Sequence, residues 1–248
     1  LKSFREQIAG VQNLLGIQLT SVAPHWPRQL SGKVDFAFID CEHHCFSREQ
    51  VAWLCIAYRS VGIAPVVRVL EPRSALVRAC IDDGAEAVVV PYVESVAQAR
   101  EVVAAAKLRP VQGERASAAM SGQPLETDLQ TMVDQHCQNV SLILQIESTT
   151  AVDRCEDLLS IQGVDGAMVG PFDLTATLSC LGDHQNPKFV EAITRVADVC
   201  RSLEKIAGIY FADSPAKEVW ARELGYRMII AGCDINLIGE ALELRRRD

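Results

Sequence analysis

The 248 residues carry 24 Lys+Arg against 32 Asp+Glu, a formal charge of −8, with 49% hydrophobic and 23% charged residues. That length is close to the ~250 residues of one α/β barrel, enough to bury a core without disulfides or a structural metal. The acidic balance offers no face for a phosphate backbone, which argues against a nucleic-acid role, and no apolar run approaches the ~18 residues of a membrane span. Nine cysteines contain no CxxC pair and read as reduced thiols. Because Leu1–Glu6 lacks the pattern of a signal peptide, the expected location is cytoplasmic.

Eight short β-branched runs recur along the chain: Leu15–Leu19, Phe36–Ile39, Val66–Val69, Val88–Pro91, Leu142–Ile146, Ala167–Val169, Ala207–Tyr210 and Met228–Ala231. Most lack apolar/polar alternation, as expected of parallel strands covered on both faces. Helical segments separate them. Ser47-x-x-Gln50 and Ser95-x-x-Gln98 predict capping boxes, and Val51, Leu54, Cys55 and Tyr58 form one apolar stripe behind the first. Asn186-Pro187 and Ser214-Pro215 predict helix starts, and Gly225 predicts a stop. Between strands four and five an insertion at about 108–140 contains a polar stretch and an amphipathic piece, Leu125–Cys137. It is expected at the catalytic end, as a lid or subunit contact. The pattern predicts residues 1–248 as a single domain, a (β/α)8 TIM barrel. An open doubly wound sheet would carry a glycine fingerprint after the first strand, and none follows Thr20.

Chemistry in such a barrel collects where the strands end. Strand two leads into Asp40-Cys41-Glu42-His43-His44 and strand three carries Arg68. Strand five ends in Gln145-Ile146-Glu147, and strand six leads into Gly170-Pro171-Phe172-Asp173. Glu147 and Asp173 end adjacent strands and suit a hard divalent cation, although each could instead cap the helix that follows. Arg68 is either half of a structural salt bridge or a fixed cation for charge developing on oxygen. Asp40 and His43 could form a dyad in which the carboxylate fixes the imidazole; a structural His43, or a zinc site over Cys41–Cys45, is the alternative. The Gly170-Pro171 turn precedes a helix start suited to a carboxylate, or is only a connection.

These residues together resemble the HpcH/HpaI aldolase family. Ile39-Asp40-Cys41-Glu42-His43, Val67-Arg68, Val90-Pro91-Tyr92-Val93, Gln112-Gly113-Glu114-Arg115, Gln145-Ile146-Glu147-Ser148 and Val164–Leu174 occur in the family's order and spacing. The resemblance implies a metal-dependent class II pyruvate aldolase, a carbon–carbon lyase acting on a small 2-oxo acid (pyruvate or oxaloacetate) and an aldehyde. Its cofactor would be Mg²⁺, Mn²⁺ or Co²⁺, and its assembly a homo-oligomer, a hexamer or trimer of dimers that exchange their last helix. By the same resemblance Glu147 and Asp173 are metal ligands, Arg68 contacts the keto oxygen, and Asp40 with His43 handles a proton. Gln145 and Gly170–Asp173 line the substrate pocket, and Asp82 reaches a neighbouring subunit's site. A macrophomate-synthase-like synthase, a citrate-lyase-like acyl-CoA lyase and a non-catalytic binding barrel are the alternatives. The absence of lysine from the strand runs argues against imine chemistry. Cys41, His44-Cys45, Phe172, Ala116 and Ala118 depart from the family pattern and point to a nonstandard acceptor.

Overall fold

The computed structural model describes residues 3–10, 12–137, 139–211 and 214–247. Eight parallel strands close into a barrel in sequence order: β1 (Leu14–Leu19), β2 (Phe36–Asp40), β3 (Ala64–Arg68), β4 (Ala87–Val90), β5 (Ser141–Ile146), β6 (Gly166–Val169), β7 (Ile206–Tyr210) and β8 (Met228–Cys233). All eight predicted strands are present. The helices among the described residues are α1 (Phe4–Ala9), α2 (Trp26–Leu30), α3 (Arg48–Ser60), α4 (Ser74–Asp82), α5 (Val96–Lys107), α6 (Gly113–Met120), α7 (Thr127–Cys137), α8 (Thr149–Asp153), α9 (Cys155–Leu159), α10 (Pro171–Thr177), α11 (Pro187–Ser202), α12 (Pro215–Leu224) and α13 (Asp234–Arg247). None is long and apolar enough to cross a membrane.

β3 starts two residues before its expected beginning and includes Pro65. The proline removes no ladder bond on the β4 side, because that pairing begins only at Val66↔Ala87. Helix signals mostly hold. Ser47 and Gln50 make the full capping box, the stripe from Val51 to Tyr58 is buried, and Gly225 ends α12 at φ 104°. Ser95 caps α5, but Gln98 returns its side chain to the Glu94 N–H at 3.2 Å rather than to the backbone of Ser95, so that box is half made.

Alternate strand residues face two cores. Leu14, Phe36, Phe38, Val66, Met168 and Ile230 belong to a cluster inside the barrel, onto which α1 brings Phe4 edge-on against Phe36, with ring centroids 6.0 Å apart. Their neighbours Ile17, Ala37, Ile39, Val67 and Ile229 face the helices. The register sets the mouth of the barrel: Asp40 pairs with Arg68 across β2 and β3, so the carboxylate and guanidinium stand side by side. The insertion follows α5 and precedes β5. Its helices α6 and α7 pack on α5 through Ala104, Val111, Ala116, Val133 and Cys137. None of its described residues lines the cavity at the barrel mouth, so of the two roles expected from sequence, lid or subunit contact, the cavity gives the lid no support.

Candidate active site

Period-two geometry sends residues 18, 40, 68, 145 and 210 toward the barrel axis at the ends of β1, β2, β3, β5 and β7. There they form a hydrogen-bonded chain. The Tyr210 hydroxyl donates to Gln18 Oε1 at 2.6 Å, and Gln18 Nε2 donates to Asp40 Oδ2 at 2.7 Å. Arg68 grips Asp40 with both arms of its fork, Nε to Oδ1 at 2.8 Å and Nη2 to Oδ2 at 2.6 Å. Its remaining nitrogen, Nη1, reaches Gln145 Oε1 at 3.4 Å. Gln145 Nε2 donates to Glu147 Oε2. The arginine is therefore paired, which satisfies the condition for burying a guanidinium, and it also lines the cavity.

Two loop residues complete the array. Glu42 Oε2 lies 3.0 Å from Arg68 Nη1, while the Tyr92 hydroxyl donates to Glu42 Oε1. The Tyr92 backbone sits at φ 57°, a left-handed conformation uncommon for a bulky residue, and it aims its N–H at Glu147 Oε1, 2.8 Å away.

The electrostatics separate the carboxyls. Burial alone would raise the Asp40 carboxyl, but the hydrogen bonds and charge of Arg68 outweigh it and hold it below the usual carboxylate range. Burial pushes Glu147 up to about 7; the charges of Glu42 and Asp173 add to the shift, and hydrogen bonds from Gln145 and Tyr92 oppose it. Asp173 stands in the first turn of α10 on the cavity wall. Neither acid caps its helix. Ser148 caps α8, and α10 begins at Gly170 without a side-chain cap.

Asp40, Glu42 and Glu147 thus act on a single guanidinium, Asp173 stands on the wall of the same cavity, and Glu42 Oε2 is buried without a hydrogen bond. Such an excess of oxygen charge fits a hard divalent cation. Among the described residues no three His, Cys, Asp or Glu side chains converge as a ready metal cage. The zinc alternative over Cys41–Cys45 therefore gains nothing. Glu147 and Asp173 would fill only part of a coordination shell, leaving positions for substrate oxygens and water.

No direct hydrogen bond closes the Asp40–His43 dyad expected from sequence. Asp40 is fully buried and receives the His43 backbone N–H at 3.4 Å, but not its imidazole. His43 is among the residues that line the cavity. It is His44 whose Nε2 comes within 3.4 Å of Gln18 Nε2. Asp82 closes α4 and pairs with Arg109, and it is not among the residues lining this chain's cavity; its expected place at a neighbouring subunit's site lies beyond a single chain. Gln145, Gly170, Pro171, Phe172 and Asp173 all line it.

Sequence reasoning assigned no role to Gln18, Glu42, Tyr92 or Tyr210. The inward parity of β1 and β7 could have found the first and last. Glu42 and Tyr92 lie beyond strand ends, where periodicity carries no information.

A family model described as HpcH/HpaI aldolase/citrate lyase matches residues 31–241. A 2-keto-3-deoxy-L-rhamnonate aldolase from Salmonella gallinarum is 26% identical over 243 residues, covering 98% of this chain and 91% of its own length. The crystal structure of an HpcH/HpaI aldolase from Desulfitobacterium hafniense superimposes with a TM-score of 0.85 at 25% identity, covering 100% of this chain and 96% of that one. That of an HpcH/HpaI aldolase/citrate lyase family protein from Burkholderia cenocepacia does so with a TM-score of 0.81 at 28% identity, covering 96% and 95%. With most of its length matched by the family model and its barrel shared with these structures, the chain belongs to the HpcH/HpaI aldolase/citrate lyase family.

Proposed function

We propose that this carbon–carbon lyase is a divalent-metal-dependent aldolase that makes or cleaves a bond through a pyruvate enolate, with a 2-oxo acid and an aldehyde as partners. The observation that carries the reading is the buried Glu147, which feels the charges of Glu42 and Asp173 and is bridged to Arg68 through Gln145, an acidic pocket that a cation would complete. Glu147 and Asp173 would hold the ion. When bound, a divalent cation supplies Lewis-acid neutralisation of the substrate's keto and carboxylate oxygens.

The chain's own groups account for the rest. In the cleavage direction the C3–C4 bond of a 4-hydroxy-2-oxo acid breaks, its electron pair moves toward the C2 oxygen, and the 4-hydroxyl loses its proton. Arg68 sits at the cavity wall with a charge that never titrates, so it opposes the negative charge that grows on that oxygen. Asp40 stays ionised and committed to the Arg68 fork, so its part is to position the guanidinium. That leaves His43, facing the cavity, to accept the hydroxyl proton directly or through one water. Gln145 bridges Arg68 and Glu147 and sets their spacing.

Nine free cysteines support a reducing, cytoplasmic setting. An exposed apolar row on α13 supports a homo-oligomer, the arrangement in which Asp82 would serve a neighbour's site.

Oxaloacetate decarboxylation gives the enolate without an aldehyde and isolates this half of the chemistry. Pyruvate release is expected to disappear with EDTA and to return with Mg²⁺, Mn²⁺ or Co²⁺. Release indifferent to EDTA would remove the metal from the mechanism.

A further inference from the structure

We infer that the aldehyde partner carries an apolar, aromatic-sized side chain rather than a hydroxylated or acidic one. The inference rests on the enolate reading above and concerns the part of the same cavity that pyruvate leaves empty.

The cavity at the barrel mouth holds about 520 Å³. Pyruvate has six heavy atoms, so at roughly 20–30 Å³ per heavy atom, the scale of a water molecule in its liquid, it occupies at most about a third of that space. Besides Arg68, Gln145, Asp173, Gln18, Tyr210 and two histidines, His43 and His184, the lining is apolar. Phe38, Met168 and Ile230 form the floor, contributed by the inner faces of β2, β6 and β8; Pro171, Phe172 and Phe211 form the wall. Phe172 is 67% exposed, so its ring is held out beside the opening rather than spent on the core. The Phe211 ring stacks on Trp220 at 5.7 Å and lies 5.6 Å from the His184 ring, which fixes an aromatic surface on the far side.

In the reading above His43 takes the reacting hydroxyl's proton and Asp173 the cation, His184 lies 2.7 Å from Lys217 Nζ, and the other polar groups have prior commitments. Tyr210 is bonded to Gln18, Gln18 to Asp40, and Arg68 to Asp40, with Glu42 beside it. An acceptor hydroxyl inserted against the floor would lose water and break one of these bonds to replace it. An acidic tail fares no better: among the described lining residues Arg68 is the one Lys or Arg, and it already faces Asp40 and Glu42. The addition is balanced without redox chemistry. The methyl carbon of pyruvate bonds to the aldehyde carbonyl carbon, and the methyl proton is matched by the one gained at the new hydroxyl.

The experiment compares phenylacetaldehyde and hexanal with glyceraldehyde and succinic semialdehyde as acceptors for pyruvate. The full chain is used with added Mn²⁺, and oxaloacetate decarboxylation is followed in parallel. The expected result is a kcat/KM at least ~10-fold higher for the two apolar aldehydes, the scale on which an apolar pocket discriminates. Phe172→Ala is expected to lower the phenylacetaldehyde-to-glyceraldehyde ratio several-fold. Normal decarboxylation with equal or better use of the polar aldehydes, or a ratio unmoved by Phe172→Ala, overturns the apolar acceptor and leaves the enolate reading intact. Absence of decarboxylation overturns both.

Discussion

Arg68 answers two demands with one side chain. Its fork neutralises Asp40, which has no exposure to water, and its third nitrogen stays at the cavity wall beside Gln145 and Glu42. Removing the side chain would mix these roles: Arg68→Ala leaves the buried Asp40 charge without its counter-charge, at about 3–5 kcal/mol of folding stability. Arg68→Lys separates them, because lysine keeps the charge but lacks the planar fork that places it. For Arg68→Lys we expect turnover in oxaloacetate decarboxylation to fall by about 10²–10³, the usual loss when one oxyanion donor is displaced, with the thermal midpoint little changed. Near-normal turnover would remove Arg68 from the chemistry and leave it a structural ion pair.

Strand geometry decides which residues reach that arginine, and β1 illustrates how tight the geometry is. A Cβ at Gly16 would stand 2.2 Å from the Phe36 ring, its neighbour across the β1–β2 pairing, so the barrel closes only with glycine there. Gly16→Ala should lower stability by roughly 1–3 kcal/mol through overpacking, read as a lower urea midpoint at constant slope. Phe36→Leu in the same chain should recover part of the loss, which a purely local backbone effect at residue 16 would not allow. The eight strands were legible because burial on both faces leaves continuous apolar runs that little else in a chain of this kind imitates. Helix α6 was not, since Gly-Glu-Arg-Ala-Ser-Ala-Ala-Met buries only Ala116 fully and is built mostly of small residues. At the site, the acidic pair and Arg68 could be read from strand ends. The partners of Asp40 could not: which imidazole turns inward after β2 is set by the loop backbone, and the backbone gives His43 to the cavity and His44 to Gln18.

At the scale of the whole molecule, α13 is the element the barrel leaves uncovered. Its first residue is anchored, with buried Asp234 accepting from the Thr20 hydroxyl at 2.6 Å and the Thr20 N–H at 3.0 Å. Beyond it Ile235, Ile238 and Leu242, spaced i, i+3, i+7 on one face, are 65%, 48% and 58% exposed. Covering each side chain is worth roughly 1.5–3 kcal/mol, enough in pairs across a symmetric contact to hold two copies together despite a net charge of −8 on each. Sedimentation at micromolar concentration should therefore report a dimer or a multiple of it, and Ile238→Asp with Leu242→Asp should shift the protein toward monomer. Because those side chains are exposed within one chain, the double variant keeps its barrel, and unchanged circular dichroism checks that it does. Its activity then tests Asp82: a folded monomer that has lost aldol turnover is what a carboxylate donated across the interface requires. A fully active monomer would confine the site to one chain, and a double variant that stays assembled would move the interface away from α13.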